Sequence, residues 1–524
     1  MLLALPDPCL LAVLQCLAAD DQRSLCSAAR AHSRLHQAAV AALHSISAHI
    51  THQQQMDSVL LYLSKHGQHA DSIHMFGVNL EEGAVELCQL PSHLQLNSLN
   101  LEHLHLQLQP GNGLHGVLGA AAMVAALKQL QLSDCELLDG EQQLAAALWQ
   151  LPPGLEHLSI SGLVWDFQPN PGRCWVQVPT GVLQQLQQLT YLQLTRCRLK
   201  SPVEGQLALQ PLQALTLLQD LRLAADDGEE DKLPADDDRL DASMLSGAHH
   251  LTRLEVSGCW HEDGPLWVEP GVLAGKTQLQ HLQLANCCMA GAPNMTGGAQ
   301  LLSCLQELQQ LTHLGLGGCI FGEEGNVPAG AYSALTASSK LQHLDISGCK
   351  LPAAVWHHTF PASKQLPHLR SLNIKHVTRP LIIGATRAST PAGSQLVSCC
   401  PGLKSLLMQG LKHNNAVLVL ALQGLSGLRT LGLGAFHAAE RLDWVWQLTR
   451  LRELSINAPD NPRGLLLLQL THLQQLTALT YFSAFGASNE TVLVCEVSYA
   501  LIGYLHCLSA VMCCFPTVAE CLAG

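Results

Sequence analysis

Apolar and polar positions alternate along this chain in one phased frame, L-x-x-L-x-L/I/V/M. It begins with Leu96-Leu99-Leu101, Leu127-Leu130-Leu132, Leu155-Leu158-Ile160, Leu189-Leu192-Leu194 and Leu218-Leu221-Leu223. It continues with Leu251-Leu254-Val256, Leu279-Leu282-Leu284, Leu311-Leu314-Leu316, Leu341-Leu344-Ile346 and Leu369-Leu372-Ile374. Leu403-Leu406-Met408, Leu428-Leu431-Leu433 and Leu451-Leu454-Ile456 follow, and Leu476-Leu479-Tyr481 is a degenerate last copy. The mean spacing is roughly 29 residues, at the long end for repeats of this kind. The fourth and sixth positions fall on one face of a short strand, because side chains alternate sides along extended backbone. Leu-rich segments such as Val182-Leu183-Leu186-Leu189 have helical spacing and predict a return helix. One such unit cannot bury its own apolar face, so neighbours must stack.

Six copies place cysteine at the ninth position: Cys135, Cys197, Cys259, Cys287, Cys319 and Cys349. A small polar or thiol group there can cap the buried backbone of the turn. With this cysteine the frame resembles the leucine-rich-repeat family over about residues 96–480. The resemblance implies an α/β solenoid, a curved parallel sheet with a helical convex side. Uneven intervals predict surface inserts, the clearest being Val164–Pro179 and the acidic run Asp226–Asp241. The third, fifth and seventh positions are expected on the concave side, where solenoids bind partners. The candidate partner-binding residues are His157, Tyr191, Arg253, Glu255, His281, His313, His343, Asp345 and Asn373, with Ser159, Gln193, Gln283, Gly315 and Lys375 beside them.

Ahead of the repeats, Leu5 to Leu43 reads as three short helices. Asp7 caps the first with Pro8 at its first turn, Asp20 or Asp21 starts the second, and Ser33 caps the third. The Leu5-Pro6 pair, the Leu10, Leu11, Val13, Leu14 and Leu17 helix, Leu25 and the Ser33-Arg34-Leu35 step resemble an F-box. That resemblance implies a substrate receptor of an SCF-type ubiquitin ligase. Leu5, Pro6, Leu10, Leu11, Leu14, Leu17 and Leu25 would dock on the Skp adaptor and through it the cullin core, and the repeats would hold an unknown protein target. The expected organisation is therefore 1–46 F-box-like, 47–95 linker or N-terminal cap, 96–481 about 14 repeats, and 482–524 an apolar cap or tail. The competing expectation is a scaffold of the cytoskeleton or ciliary axoneme with no ligase link. Helices that merely cap the solenoid edge would suit it. An extracellular recognition ectodomain is a third expectation.

Bulk composition narrows these choices. Hydrophobic residues make up 48% against 13% charged, enough for a large aliphatic core. The net charge is −13, and the run from Asp226 to Asp241 alone holds nine acids and two bases. The linear sequence contains no Lys/Arg-rich stripe, which argues against nucleic acid. The cysteines follow the repeat, as buried hydrophobes do in a reducing compartment, so a cytoplasmic or nuclear monomer within a complex is expected. Gly271-Val272-Leu273-Ala274-Gly275-Lys276-Thr277 imitates a phosphate loop but has one residue too few between its glycines. No histidine or cysteine grouping has zinc spacing, and no nucleophile or paired-carboxylate pattern emerges. No cofactor and no catalysis are expected. Val492–Met512 is apolar, but Glu496 and His506 and the lack of a basic flank favour a helical cap over a membrane span.

Overall fold

The computed structural model describes residues 44–77, 85–106, 125–137, 148–165, 174–200, 209–224, 239–258, 266–289, 297–321, 327–351, 355–377, 392–408, 424–433, 445–457, 476–485 and 491–496, apart from 88, 176, 362 and 477, together with Leu10, Leu14, Leu35 and Ala39. The chain forms two compact units, Met1–Leu266 and Trp267–Gly524.

In the first unit eight strands stack in parallel: β1 (Ser45–Ile50), β2 (Ser72–Gly77), β3 (Ser98–Glu102), β4 (Gln129–Ser133), β5 (His157–Ser161), β6 (Tyr191–Thr195), β7 (Asp220–Ala224) and β8 (Arg253–Ser257). Fourth-position residues stand opposite one another in register from Ile46 through Leu99 and Leu158 to Leu254, and all are buried. In the second unit β9 (His281–Ala285), β10 (His313–Gly315), β11 (His343–Asp345), β12 (Ser371–Asn373), β13 (Ser405–Met408), β14 (Thr430–Leu433), β15 (Glu453–Asn457) and β16 (Tyr481–Phe485) repeat the arrangement. Leu282, Leu314, Leu344 and Leu372 occupy successive rungs of one interior. Each buried leucine contributes about 1.5–3 kcal/mol of transfer free energy, so the interior dominates stability. Each unit is a leucine-rich-repeat stack.

The ladder starts earlier than the leucine frame. Rungs β1 and β2 occupy the end of the segment 1–46, expected as F-box-like, and part of 47–95, expected as linker or cap, and their inward positions use Ile46 and Ala48, then Ile73 and Met75. The last rung is also rephased. Phe482, not Leu479, stands opposite Leu454, so Leu479 is that rung's first residue and Leu476 belongs to the preceding turn. The turns before several rungs carry their own buried leucine three residues ahead of the first position, as Leu425 before Leu428 and Leu448 before Leu451, and this mimics the frame.

Several return segments also differ from expectation. Thr180–Gln184, Gln210–Ala214, Ala242–Leu245, Pro270–Leu273 and Ala329–Thr336 are 3₁₀ helices. Four of the five have proline at the cap or in the first turn, where its fixed φ starts a single tight turn. Val182, Leu183, Leu186 and Leu189 are buried as predicted, although the helix there is 3₁₀. Full α-helices return at α1 (Gln53–His66) and α2 (Gly297–Glu307). The insert Val164–Pro179 contributes strand, Val164–Trp165 pairing antiparallel with Cys174–Trp175. Of the acidic run, only Arg239, Leu240 and Asp241 fall within the described residues. At the C-terminal end, Thr491–Glu496 is strand β17, antiparallel to β16, where a helix was expected to begin. Its β-branched Thr491, Val492 and Val494 suit that conformation. The rest of the tail lies outside the described residues.

Two positions recur as columns in the described turns. The eighth position is left-handed at His103, Asp134, Gly162, Arg196, Asn286, Gly318, Gly348 and His376, with φ from +50° to +72° among the positive-φ residues. L side chains lose roughly 1–2 kcal/mol in that conformation, so glycine is favoured. The ninth-position thiols then reach back one rung. Cys135, Cys319 and Cys349 donate to the carbonyls of Leu101, Leu284 and Leu316 at 3.3, 2.8 and 2.9 Å. Burial pushes the Cys135 thiol up to about 12 and Cys349 well above the usual range.

Two outcomes follow from the columns. Gly162 has φ +63°, and an added Cβ would lie 2.1 Å from Asp134 Oδ1, the acceptor of Arg196 at 2.9 Å. Gly162→Ala is expected to cost at least about 1–2 kcal/mol in urea unfolding. Cys135, Cys319 and Cys349 are expected to resist iodoacetamide at pH about 8 in the folded chain and to react once unfolded, as peptide mass spectrometry will read.

Candidate partner-binding face

Third- and fifth-position side chains occupy the open face of each sheet, because the fourth and sixth are consumed by the core. In the first unit they interlock across four rungs. The His157 and Tyr191 rings stack at 5.6 Å between centroids, and the Arg222 guanidinium lies 5.2 Å from the Tyr191 ring. Arg222 donates to both Asp220 oxygens at 3.1 and 3.0 Å and lies 3.6 Å from Glu255. Arg253 donates to Glu255 at 3.1 and 2.5 Å and stands 4.0 Å from Asp220. The result is a square of alternating charge, acid and base exchanged between β7 and β8. Asp220's hydrogen bond raises the Arg222 pKa further, while burial raises that of the Tyr191 phenol, which donates to Gln193 at 2.5 Å.

Of this group His157, Tyr191, Arg253 and Glu255 were expected from the sequence, and Asp220 and Arg222 were missed. Their signal was present in the third and fifth positions of the Leu218 repeat. Glu102 was missed too. Its Oε1 accepts from Asn100 at 3.0 Å and Gln131 at 3.3 Å, and His74 lies 3.6 Å away.

In the second unit the expected histidines form a single file. His281 and His313 have ring centroids 5.0 Å apart, and His313 and His343 are stacked at 4.2 Å with planes 12° apart. The register that pairs β9 with β10 and β10 with β11 enforces this contact. Asp345 accepts from Asn373 at 2.8 Å and from the Ser347 amide at 2.8 Å. Gly315 leaves the central rung without a fifth-position side chain. The open face of the first unit thus carries an ion-paired aromatic patch, and that of the second a stack of imidazoles.

Leu10 and Leu14, expected at an adaptor contact, have helical backbone and are fully buried, and Leu35 and Ala39 are helical and buried too. They pack within this chain. Leu5, Pro6, Leu11, Leu17 and Leu25 lie outside the described residues. Lys276, which a phosphate loop would present to its ligand, is only 2% exposed behind the Pro270–Leu273 turn. Among the described residues no cluster of three or more His, Cys, Asp or Glu could hold a metal, and no helix is long and apolar enough to cross a membrane.

Burial holds His343 below the ordinary imidazole value of 6.5, helped by the charges of His281 and Arg370. The folded chain therefore takes up this proton less readily than the unfolded one. The stack contributes fully above that pH, and its contribution is lost as pH falls below it. The melting temperature is expected to fall further in the wild type than in His343→Gln between pH about 7.5 and about 5. Equal slopes in a scanning-calorimetry series would remove the stack from that account.

No family model and no curated protein matches the chain. Several solved structures do. An internalin from Listeria monocytogenes is 17% identical over 69% of this chain and 82% of its own, with a TM-score of 0.39. A leucine-rich-repeat protein of Leptospira interrogans is 16% identical over 86% and 85%, at 0.42. The plant peptide hormone receptor RGFR1, solved in complex with RGF2, is 13% identical over 80% of this chain and 64% of its own, at 0.39.

Proposed function

We propose that this chain is the non-catalytic target-recognition subunit of an SCF-type ubiquitin ligase. In this reading the N-terminal helices dock on the Skp adaptor, and the open face of the repeats holds a protein target. Skp bridges the chain to the cullin core. The observation that carries the reading is the segment ahead of β1. Its Leu5-Pro6 opening is followed by the helical Leu10 and Leu14, one turn apart and buried, with Leu35 and Ala39 repeating that spacing. A chain needing only an edge cap could have used one amphipathic helix.

The receptor's part is positioning. Binding target and adaptor on one chain raises the target's effective concentration at the ubiquitin-conjugating enzyme, and no residue of the receptor need touch the reacting atoms. Buried thiols that donate hydrogen bonds suit a reducing compartment, in keeping with a cytoplasmic or nuclear setting.

Because Leu10 and Leu14 are packing residues, replacing them would test folding as much as docking. A shortened chain is the cleaner test. The full chain is expected to capture purified Skp adaptor, and a chain starting at His44, which keeps β1 whole, is expected to lose that capture by more than about tenfold while keeping its thermal transition. Failure of the full chain to bind Skp in a direct binding measurement would overturn the ligase reading and leave the scaffold reading in its place.

A further inference from the structure

The second position of each repeat lies just ahead of its strand, and adjacent rungs bring these positions together. In the first unit Lys128 and Glu156, at this position in consecutive rungs, form an ion pair at 2.8 Å, and the Lys128 hydrogen bond lowers the Glu156 pKa. Other rungs place threonine there. The hydroxyls of Thr190, Thr252, Thr312 and Thr480 each donate to the carbonyl of the same position one rung earlier, at 3.0–3.2 Å. The position therefore has two fold-stabilising uses, a cross-rung ion pair and a hydroxyl tie to the ladder.

Four consecutive rungs of the second unit use neither. Ahead of β12, β13, β14 and β15 stand Arg370, Lys404, Arg429 and Arg452. Their backbones are in register, the carbonyl of each accepting from the next residue of the column at 2.7–2.8 Å. Arg370, Arg429 and Arg452 are exposed and Lys404 half-buried. Among the described residues of positions 363–457, seven Lys or Arg side chains face one acid, Glu453, in a chain of net charge −13. That glutamate already accepts from Thr430 at 3.1 Å. Like charges on neighbouring rungs, about 4.8 Å apart, repel and destabilise a sheet. A column that works against its own fold points to a counter-charge supplied from outside. The linear sequence shows no basic stripe. The ladder assembles one from residues 23 to 34 positions apart.

We propose that this column binds an acidic, extended segment of a partner protein, a run of Asp and Glu side chains laid across the rungs. The flanking third position supplies Ser371 and Ser405, hydroxyls that can donate to carboxylates, while the Thr430 hydroxyl is committed to Glu453. A single-stranded nucleic acid fits less well. Its bases need rings to stack on, and the third position of these four rungs offers three hydroxyls and the carboxylate of Glu453 instead. This deepens the partner-binding reading and rests on it, but not on the ligase assignment. Adaptor capture and peptide binding are separate measurements, so either can fail alone.

The test is fluorescence anisotropy with the purified full chain. The probes are a labelled peptide of alternating glutamate and glycine, its lysine counterpart, and a labelled oligothymidylate. The glutamate peptide is expected to bind, weakening as salt rises from about 50 to about 300 mM, and the other two to bind at least tenfold more weakly. Each single change among Arg370→Gln, Lys404→Gln, Arg429→Gln and Arg452→Gln should weaken it about threefold, and the quadruple change about thirtyfold or more. Replacing the three arginines by lysine should keep affinity within about threefold, since the charge is retained. The quadruple glutamine variant should melt at the wild-type temperature or above it, because repulsion is relieved, so lost binding cannot be put down to unfolding. Undiminished binding by that variant, or tighter binding of oligothymidylate than of the glutamate peptide, would overturn the proposal.

Discussion

The structure depends on one constraint: an aliphatic interior that no single rung can shield from water. A strand of three to six residues with two inward side chains has no independent stability, and only a neighbour on each side removes its leucines from solvent. Stacking is therefore obligatory, and it has to be in register, because a slip of one residue would turn Leu282, Leu314 and Leu344 out and their polar neighbours in. Everything else in the fold follows the beat that this interior sets.

Register has a second consequence. Whatever occupies one position of the repeat is brought beside whatever occupies that position in the next, so residues some thirty positions apart behave as neighbours. The ninth-position thiols of Cys135, Cys319 and Cys349 tie their turns to the rung before. The eighth position becomes a line of left-handed residues, kept by His103 and Arg196 as well as by Gly318 and Gly348. On the open face the same rule makes a file of three imidazoles and, separately, a square of two acids and two arginines. None of these groupings is a motif in the linear sense, since each is distributed one residue per repeat.

The same logic explains what could be read from the residues and what could not. The frame was legible because leucine at the first, fourth and sixth positions recurs in phase. The ninth-position thiols were legible because cysteine recurs there. The first two rungs were missed because Ile46, Ala48, Ile73 and Met75 do the work of leucine without its signature. The last rung was misphased because Leu476-x-x-Leu479 reproduces the opening of the frame, and only strand pairing distinguishes a turn leucine from a first-position one. The 3₁₀ returns look helical because buried residues three and four apart satisfy either helix. At the face, His281, His313 and His343 could be placed from repeat phase, while their ring spacing could not. Asp220 and Arg222 were legible in principle, because the Leu218 repeat lies in the frame and reading its third and fifth positions yields them.

A repeat fold separates the positions that specify structure from those that are free. Core positions answer to packing, and a substitution there costs the whole stack, so they carry little information about function. The second, third, fifth and seventh positions answer to almost nothing but their neighbours along the column. When such a column lowers its own electrostatic energy, as Lys128 with Glu156 or Arg222 with Glu255 does, stability is reason enough for it. A column that raises that energy needs a different explanation. By this criterion the square of charge on β7 and β8 is self-satisfied, and a partner there would have to compete with bonds already made. The unneutralised bases ahead of β12 to β15 have no such bonds to break among the described residues. In a solenoid, frustration of this kind on an otherwise unconstrained column is a better guide to the binding surface than the presence of charge alone.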